Sequence, residues 1–446
     1  MSKQLWSTLI AAFALALIPG PGFAQHAGMG GGGMPAGGSM GGAGSMSMPG
    51  AGKGMDRSAG MSAAMEERRM RAERLQRAHR ELLDFDPHAN LILRNEIVGL
   101  GATTDGIVAA RSAGFVVARR EALSGFDLEI IALTPPKGMS IKKALRRLAE
   151  IDPGATFDYN HIYFGSAAAS GSGGANGSGQ GEPTPVRGQV PATGLRIGLI
   201  DGGVAANHPG LRSLKLHLSG CEGAIVPSAH GTAVASRLVA GVRDEAPAQI
   251  DVYAADVYCG APTGGSTDAV VHALSWIVQE GASVINVSLV GPPNVLLQRV
   301  VASAIARGHL IVAAVGNDGP AAPPLYPAAY PGVIAVTGVD RKGRVLLESG
   351  RAPTVAFAAP AADIEAASLP DGYSSVRGTS YAAPIVASRL ALLMDRPDSG
   401  AAQRAVNQLA AAAARPPGPR GRDPVYGYGC IGCQAPQLAV GHVSER

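Results

Sequence analysis

Aromatic side chains are scarce in this chain, making up 4% of its 446 residues, with only 2 tryptophans. A surface that stacks on bases needs aromatic and basic residues interleaved, so nucleic-acid binding is excluded. Charge is also sparse, at 16%, and nearly balanced, with 38 Lys and Arg against 34 Asp and Glu. The small basic excess lies in two runs near the N-terminus, Arg68 to Arg80 and Lys142 to Arg147. Beyond Ile18 no apolar run is long enough to span a bilayer, which excludes stable membrane insertion of the rest of the chain. Cysteine is limited to Cys221, Cys259, Cys430 and Cys433. A zinc site wants four converging ligands and a thioredoxin-like motif wants a βαβ start. Neither context is visible, so no metal and no cofactor are predicted.

What is present divides the chain into segments. Residues 1–24 read as a signal peptide: Lys3, an apolar Leu5 to Ile18, the helix-breaking Pro19-Gly20-Pro21-Gly22, and a small-x-small site at Gly22-Phe23-Ala24. That predicts export, secreted or periplasmic. In such a compartment the cysteines pair, with Cys221–Cys259 and Cys430–Cys433 the favoured disulfides. Residues 25–64 are Gly- and Met-rich and predict disorder. Residues 65–88 form a basic helical segment with Leu75, Ala78, Leu82 and Leu83 at helical spacing. Residues 89–165 read strand–helix–strand–strand–helix–strand, a ferredoxin-like α+β order. Residues 166–189 are a flexible Gly/Ser linker. From 190 to 433 buried strands alternate with amphipathic helices, which predicts an α/β domain with a parallel sheet. Residues 434–446 are a tail.

Three patches of that α/β segment carry chemistry. Asp201 follows the apolar Ile197-Gly198-Leu199-Ile200, at the end of a predicted strand. His230 opens a helix in Ser228-Ala229-His230-Gly231-Thr232, and Ser380 opens another in Gly378-Thr379-Ser380-Tyr381. A serine hydroxyl is a weak nucleophile unless a base lies within hydrogen-bond reach and a third group orients that base. The order Asp…His…Ser differs from those of chymotrypsin and the α/β-hydrolases. With the buried run Leu310 to Asn317, these patches resemble the subtilase family of serine endopeptidases.

The resemblance implies a subtilisin-like parallel sheet flanked by helices, preceded by a ferredoxin-like propeptide domain. Asp201, His230 and Ser380 are the implied triad, and Asn317 with the N–H of Ser380 the oxyanion hole. Gly264, Gly265 and Ser266, together with Ser288, Leu289, Val290, Gly291 and Gly316, are the implied peptide-binding residues. The product is an exported endopeptidase acting on peptide or protein substrates, monomeric and made as an autoprocessed zymogen. Its own propeptide is then an intramolecular inhibitor, cut between about residue 160 and 190. A catalytically inactive peptide-binding relative is the alternative, but that would be expected to lose a triad or oxyanion member. Three departures stand out. Gly202 replaces the usual Ser or Thr, and Ala233 replaces a second histidine. Val290 replaces a glycine, which predicts a narrowed specificity pocket, whereas Asp318 predicts a preference for a basic residue. The stretch from Val239 to Pro247 lacks the insertion that builds a strong calcium site.

Overall fold

Successive side chains of Leu195–Asp201 alternate between two apolar layers, and that alternation organises the larger half of the molecule. Ile197 and Leu199 join a core with Val234, Leu238 and Val386. Ile200 faces the other way, among Leu274, Ile277 and Val300. A strand buried on both faces is what a parallel sheet between two helical layers requires. The computed structural model describes residues 57–166, 194–224, 226–242, 250–415 and 422–433. The predicted signal peptide, residues 25–56 of the Gly/Met-rich segment, the linker from 167 on and the tail lie outside the described residues. So does most of the stretch bearing on calcium, residues 243–249.

Seven parallel strands make the sheet, in the order Val355–Pro360, Ile334–Val339, Leu310–Ala314, Val284–Val287, Leu195–Asp201, Ile250–Asp256, Leu214–Ser219. Helices Ala229–Val242 and Ala383–Ala391 cover one face, while Thr267–Gln279 and Val295–Ala306 cover the other. A hairpin of Ala362–Ser368 and Gly372–Arg377 leads into the Ser380 turn. Both expected disulfides form. Cys221–Cys259 has a Cα–Cα distance of 5.1 Å and Cys430–Cys433 one of 5.7 Å, within the reach of such bonds.

The N-terminal lobe is an antiparallel sheet ordered Thr156–Gly165, Leu91–Leu100, Leu128–Thr134, Val116–Leu123, with helices Thr104–Ser112 and Ile141–Ile151. This is the ferredoxin-like arrangement. The two-residue period of a strand gives its sheet two working faces. Ile97 and Leu133 pack under the lobe's own helices with Ile107, Ala110, Ala144 and Leu148. Val98, Leu100 and Ile130 point to the opposite face and share a core with Leu274, Ile277 and Val300 of the larger lobe. Fully burying a side chain of that size is worth about 1.5–3 kcal/mol. Polar groups reinforce the contact at two helix starts. The Asn160 side-chain oxygen accepts from the Asp268 N–H, and Asp158 accepts from the Val295 N–H at 2.9 Å. Each satisfies a helix N-terminal donor that would otherwise need water or its own cap.

Three boundaries differ from the sequence reading. The basic helix runs Arg57–Ala78, so it begins inside the stretch read as disordered and stops before Leu82. Leu83–Phe85 is instead a short strand paired with Leu91–Leu93, because Leu83 is buried with Leu91 and Ile162. Ser166, assigned to the linker, continues the edge strand: its N–H donates to the Ser288 carbonyl at 3.1 Å.

Candidate active site

Asp201 ends its strand fully buried, with Oδ1 accepting from the Gly202 N–H at 2.7 Å. The same oxygen lies 2.8 Å from His230 Nδ1, so that nitrogen carries the proton and Nε2 keeps its lone pair free. Nε2 is buried and has no hydrogen-bond partner. His230 reaches this place because its helix starts hard against the loop after Asp201. Ser228 caps that helix, its hydroxyl accepting from the Gly231 N–H at 2.9 Å while its own N–H donates to the Gly203 carbonyl. A Cβ on Gly231 would stand 2.1 Å from the Gly202 carbonyl oxygen, so only glycine permits the approach. Gly202, the departure noted above, has a packing cause. A Cβ there would lie 2.5 Å from Ser228 Oγ and 2.9 Å from the Tyr258 ring, space that the capping serine and the tyrosine already fill.

Burial pushes the Tyr258 hydroxyl well above its usual range, and the charge of Asp201 adds to the effect. Tyr381, whose ring lies 5.7 Å from that of His230, is raised for the same two reasons. Both remain neutral phenols beside Asp201.

Ser380 sits in a 3-10 turn, Thr379–Tyr381, and the α-helix begins only at Ala383. The helix that Ser380 was expected to open therefore starts three residues later and ends at Ala391. The turn is pinned on both sides. Ser288 Oγ donates to the Ser380 carbonyl at 3.0 Å, and the Thr379 N–H donates to Asn317 Oδ1 at 3.1 Å. The second bond fixes the orientation of the Asn317 amide, leaving Nδ2 buried and without a partner. A buried unpaired donor costs on the order of 1–3 kcal/mol unless something comes to accept it. The Thr379 hydroxyl in turn accepts from the Gly316 N–H at 3.1 Å.

The edge strand Thr156–Gly165 runs through this site. Its first half pairs with Leu91–Leu100, and its second half lies between two segments of the larger lobe. Ile162 and Tyr163 pair with Ser266 and Gly265 on one side, while Phe164 and Gly165 pair with Val290 and Leu289 on the other. Gly264 to Ser266 and Ser288 to Gly291, the two sequence-predicted clamps, therefore hold one extended chain. Tyr163 is fully buried, its hydroxyl donating to the Pro292 carbonyl at 3.0 Å. A Cβ on Gly291 would stand 2.4 Å from the Tyr163 ring, so that glycine makes room for it. Gly165 faces the imidazole, for a Cβ there would lie 3.3 Å from His230 Cε1. The next residue, Ser166, meets Ser380 hydroxyl to hydroxyl. His230 and Ser380 thus converge on neighbouring residues of one strand.

All twelve sequence-predicted site residues fall in this region. Sequence reasoning missed Ser228, Thr379 and Ser166, and it missed Arg68, whose guanidinium pairs with Asp318. A serine two residues before a helix-opening histidine is a capping signal that would have identified Ser228. Cys221, Asp256 and Cys259 also lie close together, but both sulfurs are committed to the disulfide and offer no thiolate.

Residues 192–429 match the subtilase family. Subtilisin DY of Bacillus licheniformis is 32% identical over 252 residues, covering 54% of this chain and 90% of that relative. Subtilisin Savinase of Lederbergia lenta is 31% identical over 251 residues, with the same 54% and 90% covered. Among solved structures, fervidolysin from Fervidobacterium pennivorans, a keratinolytic enzyme related to subtilisin, shares the fold with a TM-score of 0.60 at 20% identity. That likeness covers 76% of this chain and 60% of the other.

Proposed function

The chain belongs to the subtilase family of serine endopeptidases, and from that premise we propose that Asp201, His230 and Ser380 carry its catalysis. A peptide enters as an added strand between Gly264–Ser266 and Ser288–Gly291, its backbone bonds giving affinity without reading side chains. Ser380 Oγ attacks the carbonyl carbon of the residue whose N–H bonds Ser288, and His230 Nε2 takes the hydroxyl proton. Asp201 keeps the imidazole in the tautomer that leaves Nε2 free and stabilises the imidazolium that forms. The tetrahedral oxygen, now negative, is the acceptor that Asn317 Nδ2 lacks, and the Ser380 N–H is its second donor. Collapse passes the proton from His230 to the departing amine and leaves an ester on Ser380. Water then repeats the steps on that ester and restores the hydroxyl.

The N-terminal lobe and its strand are the enzyme's own inhibitor, and the protein is exported as a zymogen that cuts itself after Ser166. The single observation that carries this is Ser166 in the groove. Its N–H bonds Ser288, its hydroxyl meets Ser380, and the preceding Gly165 lies against the His230 ring. Purified protein should react with a fluorophosphonate at Ser380 and show a new N-terminus at Ala167, trimmed further within the following linker. Ser380→Ala, expressed in a protease-free host, should remain full length and unlabelled, with turnover down on the order of a millionfold, as in a subtilisin lacking its nucleophile. Maturation of that variant would sink the assignment.

A further inference from the structure

Ser166 places only a hydroxymethyl group at the position before the proposed cut. Beside it lies a cavity of about 360 Å³ whose larger-lobe wall includes Val290, Asn317, Asp318 and Leu325. Val290 sits against Gly316 in this wall, and the cavity stays open despite its branched side chain. Asp318 is the acid in that wall, its side chain only 17% exposed. Helix Arg57–Ala78 closes the far side. Arg71 lies over the Phe164 ring at 5.0 Å, and Arg68 Nη1 donates to Asp318 Oδ2. An arginine therefore already reaches this carboxylate from within the same chain. A partly apolar wall that ends in a carboxylate suits a side chain with a methylene stem and a cationic head.

We propose that this cavity receives the side chain of the substrate residue preceding the cleaved bond and selects arginine or lysine there. While the N-terminal segment remains attached, Arg68 takes that side chain's place on Asp318. The inference rests on Ser380 as nucleophile and Ser166 as the residue before the cut. It decides between the two opposed sequence expectations in favour of Asp318 over a pocket narrowed by Val290.

The test uses enzyme that has matured from the full chain, assayed on fluorogenic tetrapeptides that differ only in the last residue before the reporter. Arginine should exceed leucine in kcat/KM by about tenfold or more, with glutamate slowest, since a fully matched charge in a pocket is worth at least that much discrimination. Asp318→Asn should reduce the arginine-to-leucine ratio to about twofold, and Asp318→Lys should move the preference toward glutamate. In a separate arm, full-length Arg68→Ala should reach full activity sooner after processing, because the segment has lost one of its holds. Leucine equal to or above arginine in the unaltered enzyme overturns the proposal, as does a ratio that neither Asp318 variant changes. If fluorophosphonate still labels Ser380 in that case, only the specificity assignment fails. If it does not, the catalytic assignment fails and takes the specificity with it.

Discussion

The N-terminal lobe touches the larger lobe in two ways that differ in kind. One contact is a sheet face, where Val98, Leu100 and Ile130 lie on two helices whose N-terminal donors Asn160 and Asp158 satisfy. The other is a strand end, Ile162 to Ser166, gripped by backbone pairing in the groove. The face contains no bond presented to Ser380 and survives a cut after Ser166. The strand end lies in the groove as a substrate would, and the proposed cut would part it from the residues that follow Ser166. An inhibitor with only the second contact would leave once processed. One with only the first would leave the groove open to other peptides. On the proposed function, the pair would give an enzyme that processes itself before it is free to act.

Substitutions that strike one contact and spare the other sharpen this contrast. The largest effect belongs to the groove. Asn317→Ala removes the side-chain donor of the proposed oxyanion hole, and self-processing should slow by about 100- to 1,000-fold, the range known for the same loss in a subtilisin. Far-ultraviolet circular dichroism of the variant should match that of the unaltered protein, and unslowed processing would refute the role. Next comes the face. Phe126 packs in the shared core, with its carbonyl bonded to Arg307 at 3.1 Å and the Arg307 guanidinium 5.4 Å from its ring. Phe126→Ala should weaken the lobe's hold by about 3 kcal/mol. Processing should still occur, with free activity appearing much sooner afterwards; an unchanged delay would mean the groove alone sets affinity.

The smallest effect is one of pH. Burial alone would raise the Asp86 carboxyl, but its bond to His161 of the edge strand, with those from Asn90 and His88, outweighs burial and holds it down to about 2. A depressed carboxylate stabilises the fold fully above its ordinary value, here 3.8, and that contribution is lost as pH falls toward about 2. Inhibition by the processed segment should therefore loosen as pH falls between those two values. Asp86→Asn should flatten the dependence, and a loosening centred near neutrality would point to other groups.

Much of this was legible in the chain because its physics is local. Val284-Ile285-Asn286-Val287 and Leu310 to Ala314 are short runs buried on both faces, and Asp201 follows such a run directly. Ser140 and Thr103 cap helices whose apolar spacing is regular. Leu214–Ser219 and Val355–Pro360 went unread, the first being a half-exposed edge strand and the second alanine-rich with no clear period. Leu82 and Leu83 have helical spacing, yet Leu83 follows its tertiary partners into a strand. Ser166 was hidden for another reason. A residue held through its backbone leaves no mark in composition, and its neighbours Ala167 to Ser170 look like any linker. Arg68 and Asp318 are 250 residues apart, and nothing in either local sequence announces the pair.

The edge strand pairs with its own lobe at one end and with two segments of the larger lobe at the other, and this makes it a measuring device. Its register is set at one end by Ile92 against His161 and Ile97 against Tyr159, and at the other by Val290 against Phe164. Four residues lie between His161 and Ser166, and that count, more than the identity of Ser166, delivers a particular carbonyl to Ser380. Adding or deleting one residue in that interval would move the presented bond by a full step and turn each intervening side chain to the opposite face. A protease that reads charge in its substrates would thus open its own chain at an uncharged serine, because there it counts instead of reading.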